Sequence, residues 1–335
     1  MKNMALYTLT IAVIFLYIFI TGFHDEGNLI ATIICSRSIE AKKALIIASV
    51  AQFLGPLIVT TAVSTTIAKD IIKYSYLLKS GENISLLILS GILGAALWNF
   101  ITWYYAIPSS SSHALIGGIL GPFAIEYGFH SINFYGIMTK VIIPLFFSPI
   151  IGFVAGYILT LIFWKLLKNA QPSVNSFLKK LQYGTMFLLN IGQSANDAQK
   201  GMGLIVILMM IKGNTHSFGV PFFVKYIAAF MISFGLLFGG FRMIKSVGGR
   251  IYRVRPFHSF NAQLSSLLVV TAATLVGAPI SGTQLVNSSI LGVGARERPS
   301  AVRWQFAKAI FAAWITTIPA SFIFSSIIYM VAKLL

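Results

Sequence analysis

The sequence predicts an all-α polytopic membrane protein, with about ten membrane-crossing segments in two inverted-topology repeats whose helices break or form hairpins at a shared polar site. Three observations predict it. Of 335 residues, 57% are hydrophobic and 10% charged, and the mean hydropathy is +0.83. An average soluble protein is about 25% charged, and a soluble domain of this length cannot hide so much apolar surface. The apolar runs have crossing length and are joined by short connectors. The basic residues collect in alternate connectors, so the net charge of +17 reads as a positive-inside pattern rather than as a nucleic-acid surface. An ordinary cytosolic enzyme, a disordered chain and a secreted disulfide scaffold are excluded, the last because Cys35 is the single cysteine.

The first span, 4–35, begins behind Lys2 and imitates a signal sequence. It runs on through Gly22 to Asn28 into further apolar residues instead of a small-residue cleavage site, so it is read as a retained membrane helix. Spans 44–67 and 83–105 are apolar runs of crossing length. Span 107–125 is short and follows its predecessor across Pro108, and span 279–294 follows 260–278 across Pro279 in the same way. Each of these is a crossing or one limb of a re-entrant hairpin. Spans 138–164, 181–211, 222–241 and 305–333 are long enough to cross. Trp98 and Trp103 read as interfacial anchors, Asn99 and Thr102 as groups bonding neighbouring helices, and Gly239-Gly240 and Gly248-Gly249 as sites of close packing or turns.

The stretch from Lys165 to Lys180 is the most loop-like. It divides the chain into a first repeat (1–164), a linker (165–180) and a second repeat (181–335). With the N-terminus outside and every span crossing, the inside connectors hold 15 basic residues and the outside ones 8. Both termini are therefore expected outside and the linker in the cytoplasm. Five spans per half gives the halves opposite orientation, and their sequences echo each other. His24-Asp25 in the first span answers Asn196-Asp197 in the sixth. The run from Ile107 through Ser109–Ser112 to His113 answers Ala278 through Ser281, Gly282 and Thr283 to Gln284. Matched interruptions in two inverted halves point to the site of a secondary transporter.

Asp25, Glu26, Asp197 and Lys200 fall inside apolar stretches, where a charge costs about 2.5–3.5 kcal/mol; the alternative for Asp25 and Glu26 is a short loop between two shorter spans. Asp197 and Lys200 are three apart on a helix and hence neighbours, either as a structural ion pair or with Lys200 turned to an anion and Asp197 to a cation. Asp25 and Asp197 are candidates to ligate or neutralise a coupling cation, with Asn28, Asn196 and Gln199 adding amide groups. Na⁺ would use the oxygens, and a proton would use a carboxylate. A helix opened by Pro108 would present the free N–H groups and hydroxyls of Ser109–Ser112 to an anion, and Pro279, Ser281 and Thr283 repeat the arrangement. His113 is a packing residue or a proton-sensitive one. No nucleotide-binding loop, zinc spacing or nucleophile elbow occurs.

At these residues the chain resembles the PiT inorganic phosphate transporter family. The matching stretches are GFHDEGNLIAT (22–32), WNFITWYYAIPSSSSHALIGGILG (98–121), SANDAQKGMG (194–203), FGGFRMIKSVGGRI (238–251) and GAPISGTQLVNSSILGVGARERPSAVRW (277–304). The resemblance implies a cation-coupled symporter of inorganic phosphate in the cytoplasmic membrane, working by alternating access, with no enzymatic activity and no cofactor beyond a coupling Na⁺ or H⁺. It matches the family's motif aspartates to Asp25 and Asp197, its asparagines to Asn28 and Asn196, and its hairpin hydroxyls to Ser110–Ser112, Ser281 and Thr283. Ser110, Ser111, Ser112, Ser281, Thr283, Gln199 and Lys200 are thus expected to bind phosphate. Asp25, Asn28, Asn196 and Asp197 are expected to couple the cation, with His24, Glu26 and His113 as further candidates. The chain departs from the family pattern at Glu26 and Gly27 and at Gly282 and Gln284. Another tetrahedral oxyanion, such as sulfate or arsenate, or a metal–phosphate complex is the alternative cargo. The expected partners are phosphate, the cation, the bilayer and, where the chain assembles, further copies of itself; nucleic acid is not among them.

Overall fold

The computed structural model describes residues 2–105, 107, 109–213, 217–247, 252 and 254–334. Pro108, expected to open a helix, and Gly248 and Gly249, expected to turn, lie outside the described residues. In the first half the helices are α1 (Lys2–His24), α2 (Gly27–Cys35), α3 (Ala41–Ile58), α4 (Ala62–Asp70), α5 (Tyr74–Ser80), α6 (Ile84–Tyr104), α7 (Ser111–Tyr127), α8 (Phe134–Gly136) and α9 (Ile143–Leu166). A π-helical stretch, Ile137–Ile142, joins α8 to α9. In the second half they are α10 (Val174–Ile211), α11 (Phe222–Val247), α12 (Pro256–Leu275), α13 (Gly282–Glu297) and α14 (Trp304–Leu334). Among the described residues the only extended pairing is an isolated bridge between Ile72 and Ile132.

The distribution of polarity is that of a protein dissolved in lipid. Leu16, Ile46, Phe147, Ile150, Phe311 and Ile323 are exposed on outer helix faces, while Asp25, Asn28, Gln52, Asn190, Asn196 and Lys200 are buried. Hydrocarbon can solvate the first set and not the second. Six stretches among the described residues are long and apolar enough to cross a membrane: 4–35, 41–58, 74–104, 134–166, 222–239 and 307–334. Helices α10 and α12 fall short of that apolarity because they carry buried polar groups, and α7 and α13, with 17 and 16 residues, are shorter than the 18 residues such a span needs.

The helices pack by reciprocal exchange between the halves. α1 lies on α11 while α10 lies on α3, and α7 lies on α14 while α13 lies on α9. Small residues make these approaches possible. A side chain at Gly22 of α1 would overlap the Ile232 carbonyl of α11, and one at Gly292 of α13 would overlap that of Phe153 in α9.

The structure corrects several expected boundaries. Span 4–35 is two helices, interrupted at Asp25-Glu26. Its expected counterpart is not interrupted, since Asn196-Asp197 lie inside the unbroken α10. There Asp197 is tied to Gln193 and Lys200 of its own helix, and such i−4 and i+3 pairs support continuous winding. Span 44–67 is also two helices, parted at residues 59–61. Helix α7 starts at Ser111 with Ser110 as its N-cap, and α13 starts at Gly282 with Ser281 as its N-cap. Both therefore open three residues beyond their prolines. Within 165–180 only residues 167–173 are loop; the remainder extends α9 and α10.

Candidate functional site

The site forms where the α1–α2 break, the start of α7, the start of α13 and the middle of α10 meet. Helix α1 stops at His24 and α2 begins at Gly27, leaving Asp25 at the junction. Its Oδ1 lies 2.6 Å from His24 Nδ1 and accepts from Thr283 Oγ1 at 3.1 Å. Its Oδ2 accepts from the Ser111 backbone N–H at 3.3 Å and from the Ser111 hydroxyl. The carboxylate thus sits at the N-terminus of α7, where an orphan N–H and the helix dipole favour negative charge. Asn28 fastens the break by donating to Asp25 O at 2.9 Å and to Thr283 Oγ1 at 3.3 Å.

Asp197 enters the same cluster from α10. Gln193 Nε2 donates to its Oδ2 at 2.8 Å, and Lys200 Nζ pairs with its Oδ1. Lys200 also donates to Ser112 Oγ at 2.5 Å and to the Ile280 carbonyl at 2.6 Å. It therefore ties α10 to the openings of both hairpin helices. Asn196 fixes the approach to α13: its Nδ2 donates to Thr274 Oγ1 and Ala278 O at 3.0 Å each, and its Oδ1 accepts from Ile280 N at 3.1 Å. Ser112 Oγ donates to Ile280 O at 3.1 Å, joining the two hairpin starts directly.

The two N-caps are equivalent. Ser110 Oγ accepts from His113 N at 3.3 Å, and Ser281 Oγ accepts from Gln284 N at 3.4 Å. The side chains that follow meet, with Gln284 Nε2 3.2 Å from His113 Nδ1, which also lies 2.8 Å from Ser110 Oγ. His113 packs edge-on against Phe146, and its Nε2 is buried without a hydrogen-bond partner. Glu26 is buried and accepts from Gln52 Nε2 at 2.8 Å through Oε2; its Oε1 has no partner.

All the expected site residues therefore converge on this centre except Gln199, which is turned to another task. Its Oε1 accepts from Val63 N at 2.9 Å and Ser64 N at 3.3 Å, capping α4, while its Nε2 is buried and unpartnered. Sequence reasoning missed Gln52, Asn190, Gln193 and Tyr17. Gln52 also donates to Asn190 Oδ1, Ser109 Oγ lies 2.8 Å from Thr102 Oγ1, and Tyr17 donates to Ser111 O at 2.7 Å. An isolated glutamine at 52 in an apolar run is the one available signal. The structure also accounts for Gly282. A Cβ there would strike the Gln193 side chain, so the missing side chain leaves room for the amide that holds Asp197. No group of three or more His, Cys, Asp or Glu among the described residues is arranged to hold a metal ion. The oxygens offered are carboxylate, amide, hydroxyl and main-chain carbonyl, a set that suits a hard cation or a proton, while the two helix N-termini suit an anion.

Comparison with known proteins agrees with this chemistry. The model of the phosphate transporter family matches residues 21–179 and 165–325. A protein of Bacillus subtilis (strain 168) named as a probable low-affinity inorganic phosphate transporter is 38% identical over 95% of this chain and 94% of its own length. One of Rhizobium meliloti (strain 1021) with the same name is 37% identical over 97% of this chain and 96% of its own. A solved structure described as the sodium-dependent phosphate transporter superposes with a TM-score of 0.87, covering 99% of this chain and 100% of that one at 21% identity.

Proposed function

Since the chain belongs to the phosphate transporter family, we propose that it is a cation-coupled symporter that carries inorganic phosphate across the cytoplasmic membrane by alternating access. Its relatives are named as transporters, and the chain is read as a membrane transporter and not an enzyme. The observation that carries the proposal is the meeting of two hairpin-helix N-termini, Ser110–Ser112 and Ser281–Thr283, with the buried carboxylates Asp25 and Asp197. Phosphate binds between the N-termini and takes hydrogen bonds from Ser110, Ser111, Ser112, Ser281 and Thr283. Lys200 supplies positive charge from α10, whereas Gln199, also expected to bind phosphate, is engaged in capping α4 and takes no part. The coupling cation binds beside Asp25, Asn28, Asn196 and Asp197, with His24, Glu26 and His113 as neighbouring groups.

Charge balance explains the coupling. Asp25, Glu26 and Asp197 place three carboxyl groups in a buried centre that holds one lysine. A phosphate anion adds to this excess, and a buried charge is tolerated only when it is compensated. Asp25 now occupies the N–H and hydroxyl of Ser111 that an incoming anion needs. Phosphate takes Ser111 from Asp25, and the released carboxylate takes the cation, so neither ligand binds well alone. The superposed transporter is described as sodium-dependent, which supports a cation in this role. The reciprocal packing of the halves supports two inverted repeats of five crossings each that rock against one another. The bias of basic residues supports external termini and a cytoplasmic linker.

The test is uptake of radiolabelled phosphate into proteoliposomes, with Na⁺ and H⁺ gradients imposed separately and sulfate as competitor. Uptake driven by one gradient and indifferent to sulfate is expected. If neither gradient drives uptake and added Mg²⁺ or Ca²⁺ does not restore it, phosphate symport is wrong.

A further inference from the structure

Lys200 is 4% exposed, on a helix in the middle of the molecule. An ammonium group has three donors and no acceptor. All three are spent on oxygens of different kinds: the Asp197 carboxylate, the Ser112 hydroxyl and the Ile280 carbonyl. These come from α10, the first residues of α7 and the segment of chain leading into α13. A carboxylate, a hydroxyl and a main-chain carbonyl converging on one buried point are the oxygen set that a small hard cation takes. Here the cation is covalently attached to the chain.

The Asp25 half is built differently. That carboxylate is met by an imidazole, a backbone N–H and two hydroxyls, with no permanently charged group on it. The surroundings of Asp197 are adjusted to match the lysine. Gln193 occupies the other carboxylate oxygen, and it has room to do so because residue 282 is glycine. With Lys200 on one oxygen and Gln193 on the other, the charge of Asp197 is already answered and each of its oxygens has a donor. Turning Lys200 toward phosphate would strip Asp197 of its charge partner inside a buried centre, which is costly.

We infer that Lys200 is a specificity-determining residue: a tethered cation that fills the place of one mobile coupling ion at Asp197 and leaves ion coupling to the Asp25 half. The inference rests on the transport reading above, narrows its cation position from the Asp25–Asp197 pair to the Asp25 side, and sets how many ions that transport consumes. The lysine needs no ion gradient to occupy its position and does not leave with the cargo.

Replacing the ammonium should turn the position into a site for free cations. The experiment measures phosphate uptake at fixed pH by proteoliposomes carrying the wild-type chain or Lys200→Ala, in N-methylglucamine, Na⁺ or methylammonium medium. Melting of both purified proteins is followed in the same media. Without small cations, uptake by Lys200→Ala should fall by about a hundredfold, the consequence of an uncompensated Asp197. Na⁺ or methylammonium should restore most of it and raise the melting temperature of the variant more than that of the wild type. Lys200→Gln, which keeps the stem and a donor but not the charge, is read in the same way should Lys200→Ala fail to insert. Cation-independent uptake by the uncharged variant would overturn the inference. So would a variant that melts like the wild type yet stays inactive, with no extra cation-induced shift, in every medium. Absence of phosphate uptake by the wild type itself would sink the transport reading, while the cation-induced melting shift would still decide the role of Lys200.

Discussion

Asp25 is the residue on which the two helix openings and the α1–α2 break depend together. It accepts from Ser111 twice and from Thr283, and it pairs with His24. Asp25→Asn keeps the volume but removes the charge that the proposed coupling cation would answer and sets an amide N–H against donors. Hydrogen bonds to a charged group are worth about 1.5–3 kcal/mol each. Gradient-driven phosphate uptake should therefore fall by about a hundredfold or more while the protein still inserts, as measured by uptake per unit of membrane-embedded protein; normal uptake would remove Asp25 from the mechanism. Asp25 and Asp197 were visible in the sequence because a carboxylate in an apolar run is expensive and demands a reason. Gln52, Asn190 and Gln193 were not, because a neutral polar side chain is cheap enough to go unremarked. Gly282 read only as a departure from the family pattern and gained its meaning when Gln193 was found in the space it leaves.

At the scale of elements, the sequence revealed which segments are apolar and where prolines part them, but not where helices pause. The apolar pattern runs unbroken through Asp25 and through residues 59–61, yet both are interruptions. It is equally unbroken through Asp197, where the helix continues. Tertiary partners decide between these outcomes. Helix α4 can begin afresh inside the molecule because Gln199 of α10 accepts from the N–H groups of Val63 and Ser64. Gln199→Leu leaves those two donors buried without a partner, at a cost of about 1–3 kcal/mol each. We expect a clear loss of thermal stability in detergent, recovered by Gln199→Glu, which restores the acceptor. Equal melting of wild type and Gln199→Leu would mean that the cap does not hold α4.

The whole molecule turns a polar interior into a binding reaction by building that interior from both halves. Ser111 and Ser112 come from one half and Thr283, Asp197 and Lys200 from the other, so a ligand at the centre bridges bodies that pack by exchange of their helices. If phosphate and its coupling ion bind there together, each must raise the affinity for the other by the same factor, because the coupling free energy is shared. A ligand present at 100 times its Kd stabilises a fold by about 2.7 kcal/mol, well within reach of a melting experiment. Phosphate alone should shift the melting temperature little, because Asp25 holds Ser111 and the added anion is uncompensated. The coupling ion alone should also shift it little. Together they should shift it by clearly more than the sum, with Na⁺ varied at fixed pH and then pH varied at fixed Na⁺ to identify the ion. Shifts that merely add would mean that the two ligands occupy independent sites, and the charge argument for symport would then have lost its structural basis.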